Sequence, residues 1–334
     1  MILVESYPLA VVLCFITMLC WGSWANAQKL AKADWRFQLF YWDYAIGVLA
    51  LALVLALTMG SMGTDGRSFS SDLAQASVRS IGLALLGGVV FNLANLLLVA
   101  AIDIAGMAVA FPLGCGISLI LGTVVNHIAE PKGNPLVLFL GVGAVTVAAV
   151  LDAWAYRRLP SQGARTTTKG IVISILAGVL MGFFYRLVAA SMSSDFSHLE
   201  PGKLGPYSAN VLFALGLFLS NFIWNTTLMV KPFVGPPVPP LDYFRKGNLR
   251  LHAVGILGGV VWSIGMTFNI IAAGPAGFAI AFGLGYGGIM VAALWGVFVW
   301  REFAGAPTGT NRLLVLMFAC YLLGLGLIAV SRSV

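Results

Sequence analysis

Ten stretches of roughly 20 apolar residues succeed one another along the 334-residue chain, and each is long enough to cross a ~30 Å hydrocarbon core as a helix. Their limits fall at 7–27, 38–60, 80–101, 105–128, 135–156, 170–191, 206–230, 250–273, 276–300 and 312–331. Backbone in lipid must satisfy its own hydrogen bonds, which leaves helices or a closed barrel. A barrel would alternate apolar and polar residues in segments of about ten; these runs are continuous. Only 9% of the residues are charged, against about 25% in soluble domains, so most of the surface cannot face water. The fold class expected is an all-α integral membrane protein of ten helices.

One phrase occurs twice. Ala105 to Gly116 reads AGMAVAFPLGCG and Ala276 to Gly287 reads AGFAIAFGLGYG, with eight of twelve positions identical at an offset of 171 residues. The same offset carries Leu86-Gly87-Gly88-Val89-Val90 onto Leu257-Gly258-Gly259-Val260-Val261, giving 14 identities over 86–116 without a gap. Helices 3–4 and 8–9 are therefore equivalent, and the repeat unit is five helices. An odd number reverses the direction of the chain, so the halves are inverted with respect to each other, an arrangement that places a solute site near mid-membrane between them. The division expected is 1–156 for the first repeat, 157–169 for a basic cytoplasmic connection and 170–334 for the inverted second repeat. Both hairpins are expected to turn near Asp103 and near Gly274-Pro275. Pro112, where the second copy has Gly283, is placed to kink helix 4, and Gly255-xxx-Gly259 and Gly283-xxx-Gly287 allow close backbone approach.

Orientation follows from Lys and Arg. The connections after helices 1, 3, 5, 7 and 9 hold 13 of the 19 basic residues, the opposite set with both termini holds 5, and Arg186 lies within helix 6. The excess marks the cytoplasmic side, which puts both termini in the periplasm and the chain in the inner (plasma) membrane. The net charge of +7 is then a topology signal, and no basic run is long enough for a nucleic-acid tail. The first apolar run has no basic leader or small-residue cleavage pattern, so it is expected to be a retained helix.

Polar and aromatic residues inside the spans are the candidates for function. Asn26, Asn92, Asn95 and Asn269 offer paired donors and acceptors suited to a neutral solute rich in hydroxyl, amide or imide groups; the alternative for each is an interhelical bond. Trp21, Trp24, Phe91, Phe111, Tyr185, Trp262 and Phe282 offer rings for stacking, and Trp262 is the repeat mate of Phe91. Tyr286 belongs to the same aromatic set. Arg186, the mate of Asn26 when Gly22 is set on Gly182, is placed either to bind a solute oxygen or to tie helices together. Asp43, between Trp42 and Tyr44, is the candidate proton carrier, with snorkelling toward the cytoplasmic surface or a hydrogen bond that fixes helix 1 as its alternatives; Glu5 and Glu130, near the outer surface, are weaker ones.

Other chemistries find no support. Cys14, Cys20, Cys115 and Cys320 lie within apolar runs without a CxxC, as small buried side chains do. No phosphate-loop pattern is present, GYG at 285–287 lacks a pore-loop setting, and His127-x-x-Glu130 lacks the second motif of a metalloenzyme. No cofactor or metal is expected, and the chain does not read as an enzyme.

Leu3-Val4-Glu5-Ser6, Asp43-Tyr44, Gly87-Gly88-Val89-Val90 followed by Asn95, and Gly122-Thr123-Val124-Val125-Asn126 together resemble the ureide permease family of the drug/metabolite transporter superfamily, close to the glucose/ribose porters and the rhamnose–proton symporter. The resemblance implies ten helices, proton-linked uptake and neutral substrates such as allantoin, uracil-like rings or sugars. Plant members carry a long loop between helices 5 and 6, whereas here the connection is only RRLPSQGARTTTK. The reading is a secondary transporter whose partners are a small neutral polar solute, protons and membrane lipids. An exporter of amphipathic metabolites or drugs and, more remotely, an intramembrane enzyme are the other readings.

Overall fold

The computed structural model describes residues 1–31, 35–159 and 167–334. Among them are ten helices of membrane-spanning length: α1 (Tyr7–Lys29), α2 (Phe37–Leu57), α3 (Val78–Ala105), α4 (Val109–Ala129), α5 (Pro135–Arg157), α6 (Thr168–Ser191), α7 (Pro206–Val230), α8 (Leu249–Ala276), α9 (Phe278–Val299) and α10 (Thr310–Val330). The protein is an all-helical, multi-pass membrane protein. The basic connection expected at 157–169 falls partly on 160–166, outside the described residues.

Large apolar side chains point outward. Leu9, Val12 and Phe15 on α1, Phe222 and Ile223 on α7, and Leu322 and Leu323 on α10 are all exposed, as they must be where the solvent is lipid. Small residues lie between helices, since packing in a bilayer depends on close approach rather than on a hydrophobic drive. A Cβ at Gly88 on α3 would stand 1.9 Å from the Phe213 carbonyl oxygen of α7, and one at Gly259 on α8 would stand 2.0 Å from the Tyr44 carbonyl oxygen of α2. Gly88 and Gly259 are repeat mates. So are the N-caps Ser77 and Asn248, whose side chains accept from Ser80 N and Leu251 N, as N-capping residues do.

Helix contacts repeat in the same way. α3 packs on α6 and α7, and α8 packs on α1 and α2; α5 packs on α10, and α2 on α7. Each pairing is reproduced when helix n is exchanged for helix n+5. The consequence for function is two opposite faces. The odd face carries the connections after α1, α3, α5, α7 and α9, and the even face carries the others.

The hairpins turn later than expected. α3 runs on to Ala105 and α8 runs through Pro275 to Ala276, and the turns fall at Gly106 (φ 78°) and Gly277 (φ 89°). Both are inside the repeated phrase, and positive φ is open to glycine at no steric cost. The Pro112 region is more than a kink: Pro112–Gly116 forms a π-helical turn. In α9 the corresponding segment breaks at Tyr286-Gly287.

Candidate functional site

A cavity of about 840 Å³ enters the bundle from the odd face and reaches mid-membrane. Seven of the residues expected at the solute site line it together: Trp21, Trp24, Asn26, Phe91, Asn95, Phe111 and Trp262. They come from α1, α3, α4 and α8, so both repeats contribute. Met107, Met181 and Tyr286 complete an aromatic and thioether wall. Trp262 sits at the inner end, 4.6 Å from the Phe91 ring centroid and stacked at 5.9 Å on Trp21. Its mate relation to Phe91 is thus a direct contact across the centre of the molecule.

Polar groups are few and placed at two depths. Deep in the cavity, the Asn95 amide nitrogen donates to the Tyr41 hydroxyl at 3.1 Å, which leaves its carboxamide oxygen to the cavity. Tyr41 stacks on Tyr44, which packs against Trp262, so this single amide is anchored by the aromatic core. At the mouth, Glu302 binds Lys29 Nζ at 2.8 Å and accepts from the Tyr156 hydroxyl at 2.6 Å. Burial raises the Glu302 carboxyl, but the bonds from Lys29 and Tyr156 outweigh it and hold the group below the ordinary glutamate value. The Lys29 ammonium also lies 4.6 Å from the Trp300 ring, and the Trp300 indole donates to Asn26 at 2.6 Å. The only lining charges among the described residues therefore neutralise each other.

The even face is closed by rings. Tyr185 lies 5.1 Å from Phe282 and 6.3 Å from Phe278, and Phe196 backs Phe278 at 6.4 Å. Phe184, at the cavity floor, is 6.4 Å from Phe282. Tyr185 and Phe282 are therefore placed in the plug, not in the cavity wall.

Four other expected residues lie outside the cavity. Asn92 is fully buried and donates to Leu217 O and Ser220 Oγ at 3.1 and 2.9 Å, joining α3 to α7. Asn269 donates to Ala281 O at 2.7 Å, across the α8–α9 hairpin. Arg186 lies near the even-face end of α6, in the field of Glu130. Asp43 faces away from the cavity: Oδ1 accepts from the Tyr243 hydroxyl, and both carboxylate oxygens lie 3.0 Å from His252 Nδ1. Tyr243 sits on a short helix, Asp242–Arg245, in the α7–α8 connection. Its hydroxyl is pushed upward by burial and then by Asp43, so it stays a donor.

Lys29, Tyr156, Trp300 and Glu302 were not among the expected residues. Their signal was weak because all four stand at helix ends or in a connection, where charge reads as topology and rings as an interfacial belt.

The chain as a whole can be placed among known proteins. The profile of the family described as ureide permease matches residues 40–162 and 157–331. The chain belongs to the ureide permease family. Similar proteins include ureide permease 1 of Arabidopsis thaliana, 22% identical over 100% of this chain and 99% of that one. Probable ureide permease A3 of Vigna unguiculata is 32% identical over 83% of this chain and 91% of its own length. A putative sugar uptake protein of Streptococcus agalactiae is 21% identical over 96% and 98%. A solved crystal structure shares the fold at a TM-score of 0.62, covering 98% of this chain and 99% of that one at 17% identity. This ureide permease family member is a membrane transporter, not an enzyme, and its cavity is the part of the fold suited to hold a solute.

Proposed function

We propose that this family member is a secondary transporter that takes up a small, uncharged, polar metabolite together with protons, by alternating access of the central cavity. The observation that carries the reading is the cavity itself. It reaches mid-membrane between the repeats, its walls are aromatic, its deep polar group is a neutral amide, and its two charges are already paired. A charged solute would find no counter-charge there and would lose its hydration without return. A flat ring or the apolar face of a sugar suits such walls. The relatives' names support both classes: ureides in the plant proteins and sugar in the streptococcal one.

The odd face carries the basic excess, so it is the cytoplasmic one, and the conformation is inward-facing. Movement of the repeats closes the cavity on this side and opens it on the other. The family resemblance supports proton linkage, and the division into two inverted repeats supports the rocking movement.

Uptake of radiolabelled allantoin, uracil and glucose by cells expressing the chain tests the proposal. One of the three is expected to accumulate against its gradient and to stop doing so with an uncoupler. Failure of every neutral solute to accumulate, or accumulation that ignores the uncoupler, would overturn it. Accumulation in everted vesicles alone would favour an exporter.

A further inference from the structure

Two aspartates lie buried within the spans among the described residues, Asp43 and Asp152. Asp43 has every oxygen occupied by Tyr243 or His252. It acts as a fastening between α2, α8 and the α7–α8 connection, with Trp35 edge-on to the imidazole at 5.4 Å. Asp152 differs: it is 3% exposed on α5, and its Oδ1 has no hydrogen-bond partner among the described residues.

Its neighbours come from each element packed on α5. Cys115 belongs to the π-helical turn Pro112–Gly116 of α4, packs toward α5 and lines the cavity. Tyr321 comes from α10, and its hydroxyl is also buried without a partner. The turn that carries Cys115 and the helix that carries Tyr321 both pack on α5. Tyr156, one turn further along α5, lines the cavity and leads to Glu302 and so to Lys29. A carboxylate anion without a donor is costly in such a place, whereas the neutral acid is not. π-Turns recur at functional sites, and this one packs on α5 and brings Cys115 to the cavity.

We infer that Asp152 is the proton-carrying carboxylate of the transport cycle, connected to the cavity past Cys115 and Tyr156. The inference rests on the proton-linked reading above. The carboxylate takes one proton when its surroundings are wetted from one side and returns it to water on the other. The carboxyl is neutral while buried, and the solute brings no charge of its own. Glu302 is excluded from the role by its bonds to Lys29 and Tyr156, and Asp43 by its bonds to Tyr243 and His252.

The test uses the full chain in proteoliposomes and needs no knowledge of the solute for its first part. Infrared difference spectra between acid and alkaline pH are expected to show the carbonyl stretch of a carboxylic acid. The band is expected to vanish in Asp152→Asn, to shift in Asp152→Glu and to remain in Asp43→Asn. In the second part, the solute selected by the uptake assay (allantoin, uracil or glucose) is given a pH gradient. Wild type is expected to accumulate about tenfold per pH unit for one proton per solute, and Asp152→Asn to reach only equal concentrations while still exchanging solute. Gradient-driven accumulation by Asp152→Asn, or an acid band lost in Asp43→Asn instead, would overturn the inference. If Asp152→Asn does not fold, an unshifted band in Asp152→Glu would do the same. Uncoupler-insensitive accumulation by wild type marks failure of the proton-linked reading instead, and the inference falls with it.

Discussion

Asn92 and Asn95 stand three residues apart on α3, and replacing each by leucine is expected to damage different things. Asn95 is 6% exposed and presents its carboxamide oxygen to the cavity, with its nitrogen held by Tyr41. Removing it takes away the deep polar contact for a solute. A lost buried hydrogen bond of this kind costs about 1–3 kcal/mol, which is ~5- to 150-fold in affinity. Tyr41 also loses its partner, a smaller effect on stability.

Asn92 has no share in the cavity. Its two bonds join α3 to α7, and Leu217 O keeps the Ser220 hydroxyl at 3.1 Å when Asn92 is gone. Interhelical bonds in membranes average ~0.6 kcal/mol and reach about 1.7, so Asn92→Leu should lower stability by about 1–3 kcal/mol and leave affinity alone. Quenching of the cavity tryptophans Trp21, Trp24 and Trp262 by the selected solute reads the affinity, and thermal unfolding in detergent reads the stability. Wild-type affinity in Asn95→Leu, or a large affinity loss in Asn92→Leu with stability intact, would refute this assignment of the two faces.

Three further outcomes are expected. Fusions of alkaline phosphatase and of green fluorescent protein to the C-terminus should give phosphatase activity and no fluorescence, since both ends lie on the face with few basic residues; a fluorescent fusion reverses the orientation. The plug residues Phe184 and Phe282 have Trp24 and Phe111 as repeat mates, and both line the open mouth. The double variant W24C/F111C should accept a short bifunctional thiol crosslinker that blocks uptake, and crosslinking that leaves uptake intact would separate these residues from the gate. Glu302→Gln should reduce thermal stability by no more than ~1 kcal/mol, because the Lys29–Glu302 pair is substantially exposed. As the folded carboxyl is held low, that contribution is present above the ordinary glutamate range and lost as pH falls through the lower folded value. A difference between variant and wild type that persists in acid and at high salt would assign the effect to packing.

Much of the architecture was legible because its causes are periodic. Each apolar run had the length that a bilayer imposes, and the repeated phrase announced the second half. The hairpin turns were misplaced by a few residues because Asp103 and Pro275 look like breaks, whereas only glycine at 106 and 277 accepts the positive φ of the turn. Facing was much harder. A helix apolar all round has no stripe to orient it, so Asn92 and Asn95 looked equivalent although one meets α7 and the other the cavity. Asp43 looked solitary because its partners Tyr243 and His252 stand 200 and 209 residues away in the chain. Asp152 lay in VLDAWAYRR, close enough to the arginines to pass for the edge of a basic loop.

The two hairpins show what the repeat alone does not decide. They share a phrase, a glycine turn and a depth, yet one closes the even face while the other borders an open mouth. The difference lies in residues outside the phrase. Lys132 Nζ donates to Gly274 O at 3.2 Å, and Arg332 Nε donates to Pro275 O at 3.3 Å. The matching carbonyls of the first copy belong to Asp103 and Ile104, and they take no side-chain donor among the described residues. At the repeat position of Lys132 stands Phe303, which cannot donate. Two part-exposed bonds of this kind are worth about 1 kcal/mol each at most, so they bias the closed even face by roughly tenfold per 1.4 kcal/mol rather than locking it. A bias of that size is one that a solute binding the opposite state more tightly can reverse, which is what the proposed cycle demands.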